Sequence, residues 1–170
     1  MELHTVRLTL RHFRENDTGF LLALMNEPDF HRYIGDRGIR SQDDALRYLL
    51  EGPLMSYRRH GYGLLHVSRR DSGEPVGMCG LLRREGLSGP DIGFAILQSH
   101  GGLGYATEAA RAAMQHAHTT LGITEIFGIT QPDNQRSIRT LGKLGLQFVE
   151  RRALSEGGPD LNIYQGHCTP

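Results

Sequence analysis

The amino-acid sequence predicts a single α/β domain in which helices pack on a mixed sheet. Segments with apolar residues at every second position, typical of strands, alternate along the chain with segments whose apolar residues follow helical spacing. A chain of 170 residues fits one domain and can bury a core without disulfides or bound metal. No internal repeat or linker divides it, so residues 1–170 are expected to form one unit.

The first part of the chain is predicted to form one strand and then helices. Apolar Val6, Leu8 and Leu10 alternate with Arg and Thr residues, which is typical of a strand with one buried face, and this strand runs to Phe13. Caps and apolar spacing then predict three helical segments: Phe20 to Met25 behind an N-cap at Asp17 or Thr18, residues 29–34, and Ala45 to Met55 behind a capping-box-like Ser41-Gln-Asp-Asp44, with an interruption at Gly52-Pro53.

The central part is predicted to form an antiparallel meander followed by a long helix. The predicted strands are Tyr62 to Val67, Val76 to Leu82 and Ile92 to Leu97, joined by turn-forming residues at 71–75 and 86–90. Tyr105 to Leu121 has alanines on one face and polar residues on the other, and Gly122 ends it. The last elements are a strand from Ile123 to Thr130, a helix from Asn134 to Leu144, and strands from Leu146 to Leu154 and Leu161 to His167.

Charge and composition exclude several classes of protein. Nineteen basic residues balance nineteen acidic ones, so the chain lacks the basic surplus of a nucleic-acid-binding or membrane-surface protein. The longest apolar run, Phe20 to Met25, is too short to span a bilayer, and the charged N-terminus is unlike a signal peptide. Two cysteines do not make a disulfide scaffold, and no histidine pair has metal-ligand spacing. We expect a cytoplasmic protein with no metal, nucleic-acid or membrane partner that pairs, if it oligomerises, as a homodimer.

Glycine is the compositional anomaly. Glycine makes up 22 of 170 residues, or 13%, whereas its average share in proteins is roughly 7%. Three of them, Gly101, Gly102 and Gly104, lie between a predicted buried strand and the start of the long helix. The first N–H groups of a helix lack internal partners and carry partial positive charge, and glycines let an anion approach the backbone. We therefore interpret this turn as a phosphate-binding site rather than an ordinary strand–helix connection.

Two common phosphate motifs do not match this turn. A P-loop needs Gly-Lys-Ser/Thr, whereas the chain continues Gly104-Tyr-Ala. A dinucleotide-binding fingerprint needs a third glycine where Thr107 stands and an acidic residue at the end of the next strand, whereas Glu125 lies near its start.

The stretch His100-Gly-Gly-Leu-Gly-Tyr-Ala-Thr-Glu-Ala109 instead resembles the pyrophosphate-binding motif of the GNAT superfamily of acetyl-CoA-dependent N-acetyltransferases. Arg7-Leu-Thr-Leu-Arg11, Asp91-Ile-Gly-Phe94 and Asn134-Gln-Arg-Ser137 resemble further segments of its RimJ/RimL branch, in the same order. Ser99 departs from the pattern, since Arg or Gln is frequent there. The resemblance implies a GNAT fold: a single domain with a mixed, mostly antiparallel twisted sheet flanked by helices and splayed between the fourth and fifth predicted strands.

The resemblance also implies which residues bind acetyl-CoA. The pyrophosphate is expected on backbone N–H groups at the start of the long helix, and the pantetheine arm along the edge of the preceding strand, where one N–H can polarise the thioester carbonyl. Asn134 is expected both to cap its helix and to contact pantetheine. The full predicted set is Ala95, Ile96, Leu97, Gly102, Leu103, Gly104, Tyr105, Ala106, Thr107, Asn134 and Ser137.

Two residues are candidates for proton transfer. Asp91 stands where related enzymes place a glutamate base and, being shorter, is expected to act through water; the alternative is a surface Asp that begins a strand. Ser137 matches a position that offers a hydroxyl near the sulfur, as general acid; the alternative is an ordinary first-turn serine. In the family, residues 26–40 form one wall of the acceptor cleft, where Asp36, Arg37 and Arg40 either contact an acceptor or face solvent.

Two functions follow as hypotheses. The first is an N-acetyltransferase that uses acetyl-CoA to acetylate a primary amine, on either a protein N-terminus or a small molecule. The alternative is a GNAT-fold module that binds acyl-CoA without catalysis, as a sensor or partner subunit.

Overall fold

The computed structural model describes all residues from Met1 to Pro170 and contains eight strands and five helices. In chain order they are β1 (Glu2–His4), β2 (Leu8–His12), α1 (Thr18–Met25), α2 (Gln42–Glu51), α3 (Pro53–His60), β3 (Leu64–Arg69), β4 (Pro75–Leu82), β5 (Asp91–Ile96), α4 (Tyr105–Leu121), β6 (Glu125–Thr130), α5 (Gln135–Lys143), β7 (Gln147–Ala153) and β8 (Asp160–His167). Short helical turns cover Glu15–Asp17, Phe30–Ile34 and Gln98–His100.

All eight strands form one sheet in the order β1-β2-β3-β4-β5-β6-β8-β7. Neighbours are antiparallel except β5 and β6, which run parallel and share a single register pair, Asp91 with Phe127. The remaining pairs of strands are joined along most of their length. The sheet therefore opens between β5 and β6, and the predicted splay between the fourth and fifth predicted strands is confirmed.

Helices cover both faces of the sheet. The alanine face of α4 packs with Leu141 of α5 and with β-strand residues such as Val67 and Ile92 in the larger core. The other core joins α1 and α2 to the opposite face, where Leu21, Leu49 and Ala95 lie together. No helix is both long and apolar enough to cross a membrane.

The N-terminal strand prediction is wrong at Val6. The structure has two strands, β1 and β2, separated by a link at residues 5–7, and the Val6 side chain is 89% exposed. The link leaves the sheet because Thr5 and the Arg7 backbone N–H are hydrogen-bonded to the carboxylate of Glu108 on α4. Strand alternation alone could not reveal this interruption, since its cause lies about a hundred positions away in the sequence.

The predicted break at Gly52-Pro53 is confirmed, and it separates α2 from α3. A Cβ atom on Gly52 would lie 2.7 Å from the Tyr48 carbonyl oxygen, so only glycine fits there. The predicted cap of α2 is also present, because Ser41 Oγ accepts the Asp44 N–H.

A buried polar cluster lies under α1. His66 of β3 is 3% exposed, and the rings of Phe13 and Phe20 meet it edge-on. Asp17 accepts two hydrogen bonds from the Arg11 guanidinium, at 2.8 and 2.9 Å. Burial lowers the pKa of His66 to about 4, so its ring is neutral at pH 7.

Candidate active site

The opening between β5 and β6 forms a V-shaped cleft. Its closed end is at Asp91, where the Phe127 N–H donates to the Pro90 carbonyl at 2.9 Å. Beyond this point no strand pairs with the edge of β5 that faces β6. The open end lies at Ile96 and Leu97, directly before the glycine-rich loop.

The glycine-rich loop, residues 101–104, presents unoccupied donors. The backbone N–H groups of residues 102–107 donate to no acceptor within the protein. Gly102 and Gly104 have positive φ angles of 73° and 82°, a conformation that other residues rarely adopt. Six consecutive free N–H groups at the start of α4 make an anion cradle, which fits a pyrophosphate.

An arginine that the sequence reasoning missed reaches this loop. A Cβ atom on Gly101 would lie 3.1 Å from Nη1 of Arg136, in the first turn of α5. The Arg136 guanidinium forms no ion pair, whereas Arg7, Arg32 and Arg84 each pair with a carboxylate. It is therefore a free cation beside the cradle, on the opposite side of the cleft from β5. A basic residue next to the Asn134 cap was its only signal in the sequence.

The exposed edge of β5 presents backbone groups of alternate residues. The Leu97 N–H is occupied, because it donates to the Val76 carbonyl at 2.8 Å. Hydrogen-bonding groups alternate between the two edges of a strand, so Ala95 shares the β4 side with Leu97. The N–H groups of Ile96 and Phe94 face the gap instead. Of the three residues predicted to pair with pantetheine, Ile96 has its N–H directed into the gap, whereas Ala95 and Leu97 have theirs directed toward β4. The N–H of Phe94, which the sequence analysis did not predict, also points into the gap.

The other side of the cleft is the start of α5. Asn134 Oδ1 accepts the Ser137 N–H at 3.3 Å and so caps the helix, as predicted. The Asn134 amide also donates to Ser137 Oγ at 3.0 Å. Because this bond occupies an acceptor lone pair of the hydroxyl, the Ser137 O–H remains free to donate. Asn134 therefore orients a proton donor at the cleft.

Asp91 is the buried acid of the site. It is 1% exposed, so the alternative of a surface Asp is wrong. One carboxylate oxygen, Oδ2, accepts a hydrogen bond from Arg84 Nε at 3.0 Å, while Oδ1 has no partner. Burial raises the pKa of Asp91, and the Arg84 guanidinium opposes that rise only in part. A carboxylate with a raised pKa and a free oxygen has the properties of a proton acceptor.

The segment of residues 26–40 lies over the open end of the cleft. Glu27 Oε1 accepts the Gln98 N–H at 2.9 Å, next to the end of β5. Arg32 forms an ion pair with Asp133, on the loop before α5. The segment is thus tied to both sides of the opening. Asp36 and Arg40 pair with each other and so do not present free charges.

No group of three or more His, Cys, Asp or Glu side chains is arranged to hold a metal ion.

Comparisons with known proteins agree with this geometry. The GNAT acetyltransferase domain model matches residues 7–147. An uncharacterized N-acetyltransferase of Bacillus subtilis, YoaA, is 27% identical over 171 residues, covering 95% of this chain and 94% of that protein. RimL, a ribosomal-protein alpha-N-acetyltransferase solved in complex with coenzyme A, has the same fold, with a TM-score of 0.84, 18% identity and 98% coverage of both chains.

A second solved structure shares the fold and is named for a self-immunity function. The microcin self-immunity acetyltransferase MccE, in complex with acetyl-CoA and AMP, gives a TM-score of 0.79 at 16% identity, over 96% of this chain and 93% of that one. The resemblance stated from the glycine-rich loop is confirmed. Because the family model spans most of its length, the chain belongs to the GNAT family of acetyltransferases.

Proposed function

We propose that this protein is an acetyl-CoA-dependent N-acetyltransferase that transfers acetyl directly to a primary amine. The observation that carries the proposal is the run of free N–H groups at residues 102–107, placed where the V-shaped cleft opens. The related structures of RimL and MccE contain coenzyme A and acetyl-CoA, which supports the same donor here.

The proposed cofactor contacts divide along the cleft. Gly102, Leu103, Gly104, Tyr105, Ala106 and Thr107 would hold the pyrophosphate through their N–H groups, and Arg136 would add a positive charge. The edge of β5 at Ile96 and the amide of Asn134 would hold the pantetheine arm. Acetyl-CoA supplies an acetyl thioester whose carbonyl a gap-facing N–H, of Phe94 or Ile96, would polarise.

Asp91 is the proposed proton acceptor. Phe94 follows Asp91 by three residues, which is about 10 Å along a strand. Because this distance exceeds a hydrogen bond, Asp91 would take the amine proton through water. As the N–C bond forms and the C–S bond breaks, the Ser137 hydroxyl, held by Asn134, would protonate the departing sulfur.

Two acceptor classes remain in the proposal, and they have different support. RimL, named as an alpha-N-protein acetyltransferase, favours a protein N-terminus as the acceptor. MccE, named for microcin C7 self-immunity and solved with acetyl-CoA and AMP, shares the fold, and a small-molecule acceptor therefore stays in the proposal. Since these identities are below 20%, they support the fold and leave the acceptor to be measured.

The test is thiol release from acetyl-CoA, measured across a panel of N-terminal peptides and small amines. We expect turnover with at least one primary amine, and loss of turnover in Asp91→Asn with CoA binding retained. A protein that binds CoA tightly but acetylates no amine would be the non-catalytic acyl-CoA-binding module. A protein that fails to bind CoA would overturn both functions.

A further inference from the structure

Arg7 joins the N-terminal link to the glycine-rich loop. It lies between β1 and β2, and its Nη1 donates to the Leu103 carbonyl at 2.8 Å. Its guanidinium also lies over the Tyr105 ring, 4.6 Å from the ring centre. Arg7, Gly104 and Thr107 line one open groove of about 650 Å³ on the outer face of α4. A side chain from the far end of the sequence thus borders the anion cradle.

The contact with Leu103 fixes the direction of a ligand-binding group. The Leu103 carbonyl and the Gly104 N–H belong to the same planar trans peptide, so they point in opposite directions. When Arg7 holds the carbonyl on its own side, the Gly104 N–H is directed away from Arg7. This is one of the free N–H groups of the cradle.

Arg7 also neutralises an acid beside the cradle. Glu108, in the first turn of α4, accepts hydrogen bonds from Thr5 Oγ1 at 2.6 Å and from Arg7 N and Nε at 2.9 and 2.7 Å. Burial raises the pKa of Glu108, but these hydrogen bonds outweigh burial and hold its pKa below the usual value, so it is charged. An unpaired carboxylate in this turn would repel a bound pyrophosphate.

We propose that Arg7 is a positioning residue for the glycine-rich loop, an inference that rests on the cofactor site proposed above. Arg7 holds the Leu103 carbonyl, and with it the Gly104 N–H, in the ligand-binding direction. The positive charge of its guanidinium neutralises the negative charge of the Glu108 carboxylate, which lies next to the proposed pyrophosphate site. Arg7 therefore determines affinity for the pyrophosphate part of acetyl-CoA without touching the thioester or the amine.

The test compares Arg7→Ala with the wild type on two donors. Acetyl-CoA carries the pyrophosphate, whereas S-acetylpantetheine lacks it. We expect Arg7→Ala to weaken CoA binding about ten- to a hundredfold, as for the loss of a hydrogen bond to a charged group. We expect kcat/KM for S-acetylpantetheine to stay unchanged. Arg7→Lys should recover part of the affinity, because its ammonium still neutralises Glu108.

Arg70→Ala is the matched control. Arg70 Nη1 also binds the link, donating to the Thr5 carbonyl at 2.6 Å, but does not contact the loop. We expect its CoA affinity to equal that of the wild type. If Arg7→Ala binds CoA as the wild type does, or loses both donors in equal proportion, the positioning role is refuted. Failure of the wild type to bind CoA would instead refute the proposed function.

Discussion

The positive φ angle of Gly104 allows a sharp test of the anion cradle. Gly104 is the N-cap of α4 with a φ of 82°, and Gly122 ends the same helix with a φ of 69°. Replacing either by alanine places a side chain in the left-handed region. This costs roughly 1–2 kcal/mol per residue. The two positions form a matched pair, since one borders the proposed ligand and the other lies at the far end of the helix.

The expected distribution of this cost differs between the two sites. At Gly122 a Cβ atom meets no heavy atom within 4 Å, so the strain should appear only as reduced stability. For a domain of this size, about 1–2 kcal/mol lowers Tm by roughly 2–8 °C. At Gly104 a Cβ atom would lie 3.4 Å from Arg7 Nη2. When no ligand is bound, the loop can relax toward negative φ at this position and turn its N–H groups away from the ligand site.

If the loop relaxes in this way, the strain energy no longer lowers the stability of the ligand-free protein and instead weakens CoA binding. CoA must then restore the strained conformation, so its Kd should rise by up to roughly 5- to 30-fold, the equivalent of the same 1–2 kcal/mol. The assay is titration calorimetry with CoA, alongside thermal unfolding without ligand. We expect Gly122→Ala to lose stability but retain affinity. If Gly104→Ala has the wild-type Tm and also binds CoA with wild-type affinity, the loop does not bind the pyrophosphate.

Four further measurements test the rest of the site and one buried group. Asp91→Asn keeps an oxygen for Arg84 but removes the base, so kcat/KM should fall by about 10²- to 10⁴-fold with CoA affinity unchanged. Ser137→Ala leaves the Asn134 cap intact, so kcat should fall without loss of Tm; an unchanged kcat would exclude a general acid. Arg136→Ala should weaken CoA binding, whereas Arg139→Ala, on the same helix, should not. His66 has a pKa lowered from 6.5 to about 4, so the unfolded chain binds a proton at this histidine at a higher pH than the folded protein does. Its contribution to stability is therefore complete above pH 6.5 and is lost progressively as pH falls from 6.5 to about 4. Urea unfolding should show a loss of about 3 kcal/mol across that window, which His66→Gln should remove.

The long helix shows why much of the fold could be predicted from the sequence. Tyr105–Leu121 was predicted to the residue, because alanines mark its buried face and glycines with positive φ lie at both ends. The anion cradle could be predicted from the same local pattern, because the first N–H groups of any helix lack partners within that helix. The splay followed from the family resemblance, because periodicity alone does not describe how two strands separate.

The parts of the site that could not be predicted depend on distant contacts. Arg7 and Glu108 are 101 positions apart, and nothing in the spacing of either marks the pair. Arg136 reaches Gly101 only because α5 packs across the opening from β5. The direction of the β5 amides depended on one bond, from Leu97 to Val76, which fixes the alternation for the whole strand.

The arrangement of charge along β5 gives the cleft its chemical logic. Asp91 lies at the closed end and the cradle begins beyond Ile96, a separation of about 16 Å along the strand. That separation is about twice the Debye length at physiological salt. The Arg84 guanidinium also offsets the charge of Asp91, so the repulsion between this carboxylate and a bound pyrophosphate is weak. The two acids nearest the ends of the site are also each paired with an arginine, Asp91 with Arg84 and Glu108 with Arg7. The difference is that Asp91 is buried and keeps one oxygen free, so it can accept a proton, whereas Glu108 has its carboxylate occupied by Thr5 and Arg7 and can only support the loop.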